Sequence, residues 1–322
     1  MVSRYNRQEL IIGKKAQQKL LKSTAVIAGM GALGTAAVEI LARAGVGKIV
    51  LVDRDVIELT DLQRQLLYDE TDVGRPKAMA ALEKLKRANS EIFVAAAAVD
   101  LDHENIAGIV GKPDVVLDCM DNLETRFLLN EYCLKNGLAW VHAAAIRDSA
   151  QLMAFDFRNS KKHFCFACVF GNSAAEGTCD TVGILASATA TIAAIQATEA
   201  MKILIGKKPE SQLLRLNIWR NALTRISVKP KPDCGSLKYE YLVGKKGTEA
   251  VTMCGRNVYQ IKGKAVDLSS LKPQLQKMGE KAAVFDGCIS FRNITLFNDG
   301  RALVRAESAA KAKAEYSRYM GI

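Results

Sequence analysis

Short apolar runs and stretches with apolar residues at helical spacing take turns over the first half of the chain. Residues 24–55, TAVIAGMGALGTAAVEILARAGVGKIVLVDRD, read as a strand, a glycine turn, a helix and a second strand ending at Asp53, which makes a βαβ unit. Residues 4–22 have a mixed pattern compatible with a helix ahead of that unit. Beyond it, the spacing predicts a helix over 77–88, a strand over 93–99, another helix, a strand opening DVVLDCMDN (114–122), a helix over 124–136 and a strand in LAWVHAAAI. Such alternation specifies a doubly wound, mostly parallel, Rossmann-like α/β sheet.

After Gln151 the pattern changes to QLMAFDF, a cysteine pair, a loop, a long helix over about 182–205 and the strands LLRLNIW and TRISVKP. KPKPDCG is a predicted linker by its proline and glycine content. Residues 239–322 then read as strand pairs, one closed by an Asn-Asp-Gly turn, and two helices: a small α+β appendage. The expected domains are therefore residues 1–236 and 239–322. The apolar stretch VGILASATATIAAI (182–195) is shorter than the roughly 20 residues a bilayer needs. It runs into Gln196, Glu199 and Lys202, so a buried or interface helix is expected, with no membrane partner.

Composition narrows the classes. A chain of 322 residues with 49% hydrophobic content suits about two packed domains. The net charge of +11 favours anionic partners, but the basic residues form no long run, which weighs against nucleic acid. No basic segment followed by an apolar stretch and a cleavage site opens the chain, so a cytoplasmic location is expected. Eight cysteines without an export signal point to metal binding or thiol chemistry rather than a disulfide scaffold.

Gly29, Gly31 and Gly34 form G-x-G-x-x-G between strand and helix, the arrangement that lets backbone N–H groups approach phosphate. Asp53, about 20 residues on, stands where a carboxylate accepts ribose hydroxyls. A tight βα turn without a ligand is the bland alternative. The polar stretch TDLQRQLLYDETDVGRPKA (60–78) follows, with Arg64, Arg75 and Lys77. A dinucleotide needs little beyond the fingerprint, whereas a triphosphate carries more charge past the ribose. Cations there would offset charge developing as pyrophosphate leaves. Asp121, at the carboxyl end of a strand, suits magnesium. Taken singly, Asp121 also reads as a helix cap and Arg64 or Lys77 as surface charge; together they favour ATP over NAD.

These residues resemble a known family. RYNRQ (4–8), GMGALG, VDRD, TDLQRQ, DVGRPKA, LDCMDN, HAAAIR and GTCDTVGIL, in this order, are similar to the ThiF/MoeB/HesA family, the adenylation module shared with ubiquitin-activating enzymes. The resemblance spans about residues 3–236. It implies Mg-ATP-dependent adenylation of the C-terminal Gly-Gly of a small ubiquitin-like or sulfur-carrier protein, release of pyrophosphate, and a homodimer. It gives Asp53 the ribose, Arg64 and Lys77 the phosphates and Asp121 the magnesium, with Arg7 reaching the triphosphate of the other subunit. One position departs: where the family usually has Asn, this chain has Asp61, whose carboxylate would either contact magnesium or repel phosphate. The downstream step would be sulfur transfer from a separate donor or conjugation through a partner enzyme. By its position, the appendage is a candidate for recruiting the carrier or a conjugating enzyme. A non-catalytic scaffold and an NAD-dependent oxidoreductase are the alternative readings.

The resemblance also bears on the cysteines. Cys165 and Cys168 form C-x-x-C, which relatives complete with a second pair into a structural zinc site. Here Cys234 stands alone, with Lys231 and Leu237 where its partner would be. Four ligands are the norm, so Cys254 or His163 would have to complete the site, or it is empty. Cys179, in GTCDTVGIL, occupies the position where several relatives carry a cysteine able to take the activated carboxylate; a plain loop cysteine is the alternative. Cys119 and Cys133 read as core, Cys254 and Cys288 are unassigned, and His142 reads as a packed strand-end histidine.

Overall fold

The computed structural model describes residues 3–158, 164–171, 182–229, 238–246, 252–253 and 257–320. The chain divides into two compact units, residues 1–73 with 77–247 and residues 74–76 with 248–322.

The first unit is built on an eight-stranded sheet. Its parallel half comprises β1 (Thr24–Ala28), β2 (Lys48–Val52), β3 (Phe93–Ala97), β4 (Val115–Asp118) and β5 (Ala139–Ile146). The antiparallel half adds β6 (Ser149–Asp156), β7 (Leu213–Asn217) and β8 (Ala222–Ile226). The order is β3-β2-β1-β4-β5-β6-β7-β8, with parallel pairing from β3 through β5 and antiparallel pairing from β5 onward. Parallel strands buried on both faces read as near-continuous apolar runs, and TAVIA divides accordingly. Ala25 and Ile27 face one core layer, Val26 and Ala28 the other.

Helices α3 (Ala32–Ala44), α4 (Lys77–Ala88) and α8 (Ala186–Leu204) cover the first face through Leu41, Leu85 and Ile192. Helices α5 (Ile106–Val110), α6 (Leu123–Asn136) and α7 (Phe166–Phe170) cover the second through Ile106, Leu129 and Phe166. The long helix is thus core, packed on α3 and β5, and no helix among the described residues is long and apolar enough to cross a membrane. Cys119 and Cys133 are buried in these layers, where burial raises both thiols far above the ordinary range.

The single helix suggested for residues 4–22 is two, α1 (Asn6–Ile12) and α2 (Lys14–Lys22). Gly13 lies between them at φ 85°, ψ 152°, a conformation that only glycine adopts cheaply. The predicted linker 230–237 lies outside the described residues.

The second unit contains a six-stranded sheet, β11-β12-β13-β14-β10-β9, all antiparallel. Its strands are β9 (Thr252–Met253), β10 (Val258–Ile261), β11 (Ala282–Phe285), β12 (Cys288–Phe291), β13 (Ile294–Phe297) and β14 (Ala302–Arg305). Helices α9 (Leu268–Lys277) and α10 (Ala309–Met320) pack on it through Leu271, Leu275, Ala312 and Tyr316. Cys288, unassigned from sequence, is buried, and burial pushes its thiol up to about 12.

Candidate functional site

Strand order reverses between β1 and β4, and in open α/β sheets ligands bind outside the carboxyl ends of the strands at that switch point. The glycine fingerprint sits there, and its three members answer to different constraints. Gly29 is at φ 95°, and a Cβ on it would lie 2.6 Å from the Cys119 carbonyl oxygen at the end of β4. On Gly34 a Cβ would lie 1.9 Å from the Gly29 carbonyl oxygen, so α3 can pack this closely only through glycine. Gly31 is different: the nearest atom to an added Cβ is 3.9 Å away, so the chain's own packing does not demand its small size.

Asp53, just past β2, is tied to this turn. Its Oδ2 accepts the Met30 N–H (2.6 Å) and its Oδ1 the Asp55 N–H (2.7 Å). A carboxylate has about four acceptor positions, so both oxygens keep capacity for further donors. Burial, with Asp55 adding to it and Lys77 opposing, pushes the Asp53 carboxyl up to about 6. The Tyr68 hydroxyl lies 3.0 Å from the carbonyls of both Met30 and Lys77, joining the glycine turn to the start of α4.

The polar stretch folds into a charged cluster. Lys77, only 3% exposed, places Nζ 3.4 Å from Asp61 and 3.6 Å from Asp55. Asp61 is fully buried and pairs through its other oxygen with Arg64 Nη2 at 3.1 Å, while also accepting the Glu58 N–H. The side chain that departs from the family pattern is therefore the shared counter-ion of the two candidate phosphate-binding cations. The Lys77 N–H donates to the Asp55 carbonyl (2.9 Å), fixing where α4 begins.

Two further residues here had not been singled out from sequence. Arg54 pairs with Asp100 (3.1 Å) and stands 3.8 Å from Asp55. Burial pulls its pKa down, but Asp100, Asp55 and Asp121 outweigh it and raise it above the ordinary value. Both Arg54 and Asp55 lie in VDRD, beside Asp53, and that adjacency was the available signal.

Asp121 follows β4 and is exposed. The cap of α6 is Asn122, which accepts the Thr125 N–H (2.8 Å), not Asp121. Among the described residues Asp121 takes one long hydrogen bond, from Asn122 Nδ2 at 3.4 Å. Arg7, on α1, is exposed, and no hydrogen bond or ion pair joins it to the cluster among the described residues. Its neighbours are anchored: Tyr5 is buried with its hydroxyl accepting from Asn89 Nδ2, and Gln8 Nε2 donates to Gln17 and to the Ala44 carbonyl.

Among the described residues no group of three or more His, Cys, Asp or Glu is arranged to hold a metal. The Cys165 and Cys168 sulfurs are 3.8 Å apart, the separation of about 3.8 Å expected for two ligands at ~2.3 Å from one tetrahedral zinc. Cys179, Cys234, Cys254 and His163 lie outside the described residues. His142 is packed as expected, fully buried at hydrogen-bond distance from Asp118.

Comparison with known proteins agrees with this architecture. The model of the ThiF family matches residues 5–236. The sulfur carrier protein ThiS adenylyltransferase of Bacillus subtilis (strain 168) is 36% identical, covering 100% of both chains. The molybdopterin-synthase adenylyltransferase of Escherichia coli (strain K12) is 38% identical over 65% of this chain and 84% of its own. The crystal structure of E. coli MccB with ATP superposes with a TM-score of 0.63 at 24% identity, covering 72% of this chain and 73% of the other, and so shares the fold. With a family match spanning most of the first unit and a full-length relative at this identity, the chain belongs to the ThiF family.

Proposed function

We propose that this chain is an adenylyltransferase that uses ATP to activate the C-terminal carboxylate of a small ubiquitin-like or sulfur-carrier protein. The observation that carries the reading is the buried Lys77, held with Arg64 by Asp61 beyond the glycine turn. Cations so placed suit the far end of a triphosphate, and the similarity to a ThiS adenylyltransferase along the whole chain supplies the class of acceptor.

In the reaction the terminal carboxylate attacks the α-phosphorus. A carboxylate-oxygen-to-phosphorus bond forms, the bond to the bridging oxygen of the β-phosphate breaks, and pyrophosphate leaves with the electron pair. The nucleophile is already ionised, so no proton transfer is required. Asp53 accepts the ribose hydroxyls, and Gly31 leaves room for the phosphates to approach the backbone. Lys77 and Arg64 offset the charge that builds on the leaving group, and the fixed geometry makes the attack effectively unimolecular. Magnesium, when bound, neutralises phosphate oxygens. It is typically held by one or two carboxylates plus substrate phosphates, and the exposed Asp121 has the oxygen chemistry for it. The experiment is carrier-dependent exchange of labelled pyrophosphate into ATP with small Gly-Gly-ending proteins of the same genome. Measurable ATP binding with no exchange for any carrier would count against the acceptor, and no ATP binding would sink the reading.

The Asp53 carboxyl supplies a pH signature. Its folded-state pKa, about 6, is above the ordinary 3.8, so the folded protein holds this proton more tightly than the unfolded chain. The corresponding stability is present below about pH 4 and lost as pH rises through about 6. Ribose binding needs the ionised form, so ATP affinity is expected to weaken as pH falls through about 6. Asp53→Asn is expected to bind weakly without that limb, since titration of the nucleotide phosphates is common to both proteins. Identical pH profiles would remove Asp53 from the ribose role.

Arg7 supports a homodimer. Leu10 and Ile11, beside it on α1, are 81% and 85% exposed, and large apolar side chains at adjacent exposed positions suit burial against a second copy. Arg7→Ala and Lys77→Met proteins, each inactive alone, are expected to regain exchange when mixed and allowed to re-form dimers, because one mixed site is intact. Failure of the mixture, with mixed dimers present, would place Arg7 in its own subunit's site or in none. Cys165 and Cys168 would serve one edge of a structural zinc. Stoichiometric zinc that disappears in Cys165→Ser identifies that site, and zinc-free parent protein excludes it.

A further inference from the structure

Asp118, the last residue of β4, is fully buried, and so is His142 in β5. His142 Nδ1 is 2.7 Å from Asp118 Oδ2. The carboxylate can only accept, so the ring carries its proton on Nδ1. Burial outweighs the pull of Asp118 and lowers the histidine pKa, which keeps the ring neutral. His142 Nε2 has no hydrogen-bond partner among the described residues, and the rings of Phe166 and Phe170 stand 5.0 and 5.2 Å away. Among the described residues, then, the bond to Asp118 is the one hydrogen bond that orients this buried ring.

That bond ends on the turn that carries Asp121. Asp118 Oδ1 accepts the Met120 N–H at 3.0 Å. Arg126, whose Nε is 3.7 Å from Asp118 Oδ2, donates through Nη2 to the Met120 carbonyl. Met120, the residue leading into Asp121, is therefore held at both its N–H and its carbonyl. Gln196 of α8 closes the assembly from below, its Nε2 donating to the carbonyls of Asp118 (2.9 Å) and Val141 (2.8 Å). On the far side Asn122 is committed to capping α6. Within 118–122, Asp121 has the exposed carboxylate, carried on a backbone fixed on either side.

We propose that His142 is a positioning residue for the adenylation reaction: through Asp118 it locks the Met120–Asp121 turn so that the Asp121 carboxylate is preorganised for magnesium. This rests on the adenylation reading for its consequence, though not for its geometry. Partners that orient a metal ligand typically change metal affinity by about 10–100-fold when removed.

The discriminating pair is His142→Asn and His142→Gln in the full chain. The asparagine amide reaches the depth of Nδ1 and retains a donor for Asp118; the glutamine amide reaches the depth of Nε2 and does not. Hydrogen–deuterium exchange of segment 119–122, without nucleotide, is expected to rise about tenfold in His142→Gln and to stay near the parent in His142→Asn. The magnesium concentration giving half-maximal pyrophosphate exchange is expected to rise about tenfold in His142→Gln alone, with metal-free ATP binding within about twofold of the parent. Unchanged backbone exchange in both variants, or equal losses in both, overturns the proposal. A parent without carrier-dependent exchange fails the adenylation reading instead, and the backbone measurement still decides the clamp.

Discussion

Lys77→Met is expected to lower the thermal midpoint by about 10 °C and pyrophosphate exchange by at least about 100-fold. Methionine fills most of the space but leaves Asp55 and Asp61 without their common cation, 3.6 and 3.4 Å away in the native protein. Removing one partner of a buried pair costs about 3–5 kcal/mol, because the survivor remains charged and poorly hydrated. For a unit of this size each kcal/mol is worth roughly 2–4 °C. Arg64 remains on Asp61, which places the cost toward the lower end. Adding Asp61→Asn to Lys77→Met removes the fully buried one of the two carboxylates that faced the lysine, so the double variant should recover part of the midpoint and none of the exchange. A parental midpoint in Lys77→Met would refute the buried-pair account; parental exchange would remove the lysine from phosphate handling.

Asp121→Ala should leave stability nearly unchanged and still lower turnover. The side chain is exposed and α6 is capped by its neighbour, so the stability should stay within about 0.5 kcal/mol of the parent. Loss of a group stabilising transition-state charge typically costs about 10²–10³ in rate, and exchange is expected to fall by that factor. Asp121→Asn should fall nearly as far, because an amide keeps the shape and loses the charge. Exchange within a fewfold of the parent in either variant would show that this carboxylate does not hold the metal.

Much of the fold was legible because the pattern that encodes it is local. Continuous apolar runs marked the parallel strands, and the glycine turn marked the first βα junction. The appendage's strand pairs and two helices appear where the alternation placed them. Two features were not legible. One glycine in a polar stretch gives no sign that it will split a helix, since that depends on Gly13 settling at positive φ. The antiparallel turn of the sheet from β5 onward showed only as a change of pattern, because pairing direction depends on partners distant in sequence.

The candidate site divides in the same way. Asp53, Arg64, Lys77 and Asp121 stood in recognisable stretches. The reason for Asp61 did not, because its role is set by what it faces after folding. As a carboxylate on a polar surface it would repel phosphate; buried between a lysine and an arginine it holds both. Asp118 was hidden for a related reason. A strand-end aspartate reads like any other until His142, twenty-four positions later, is found beside it.

The unequal steric demands on the three fingerprint glycines bear on how variation at this turn would be filtered. A screen for folded yield should reject alanine at Gly29 and Gly34, where the new methyl meets backbone carbonyl oxygens, and pass it at Gly31. A screen for growth on the product should reject all three. Tolerance at Gly31 in the first and intolerance in the second would separate, within six residues, selection for a foldable chain from selection for a working catalyst.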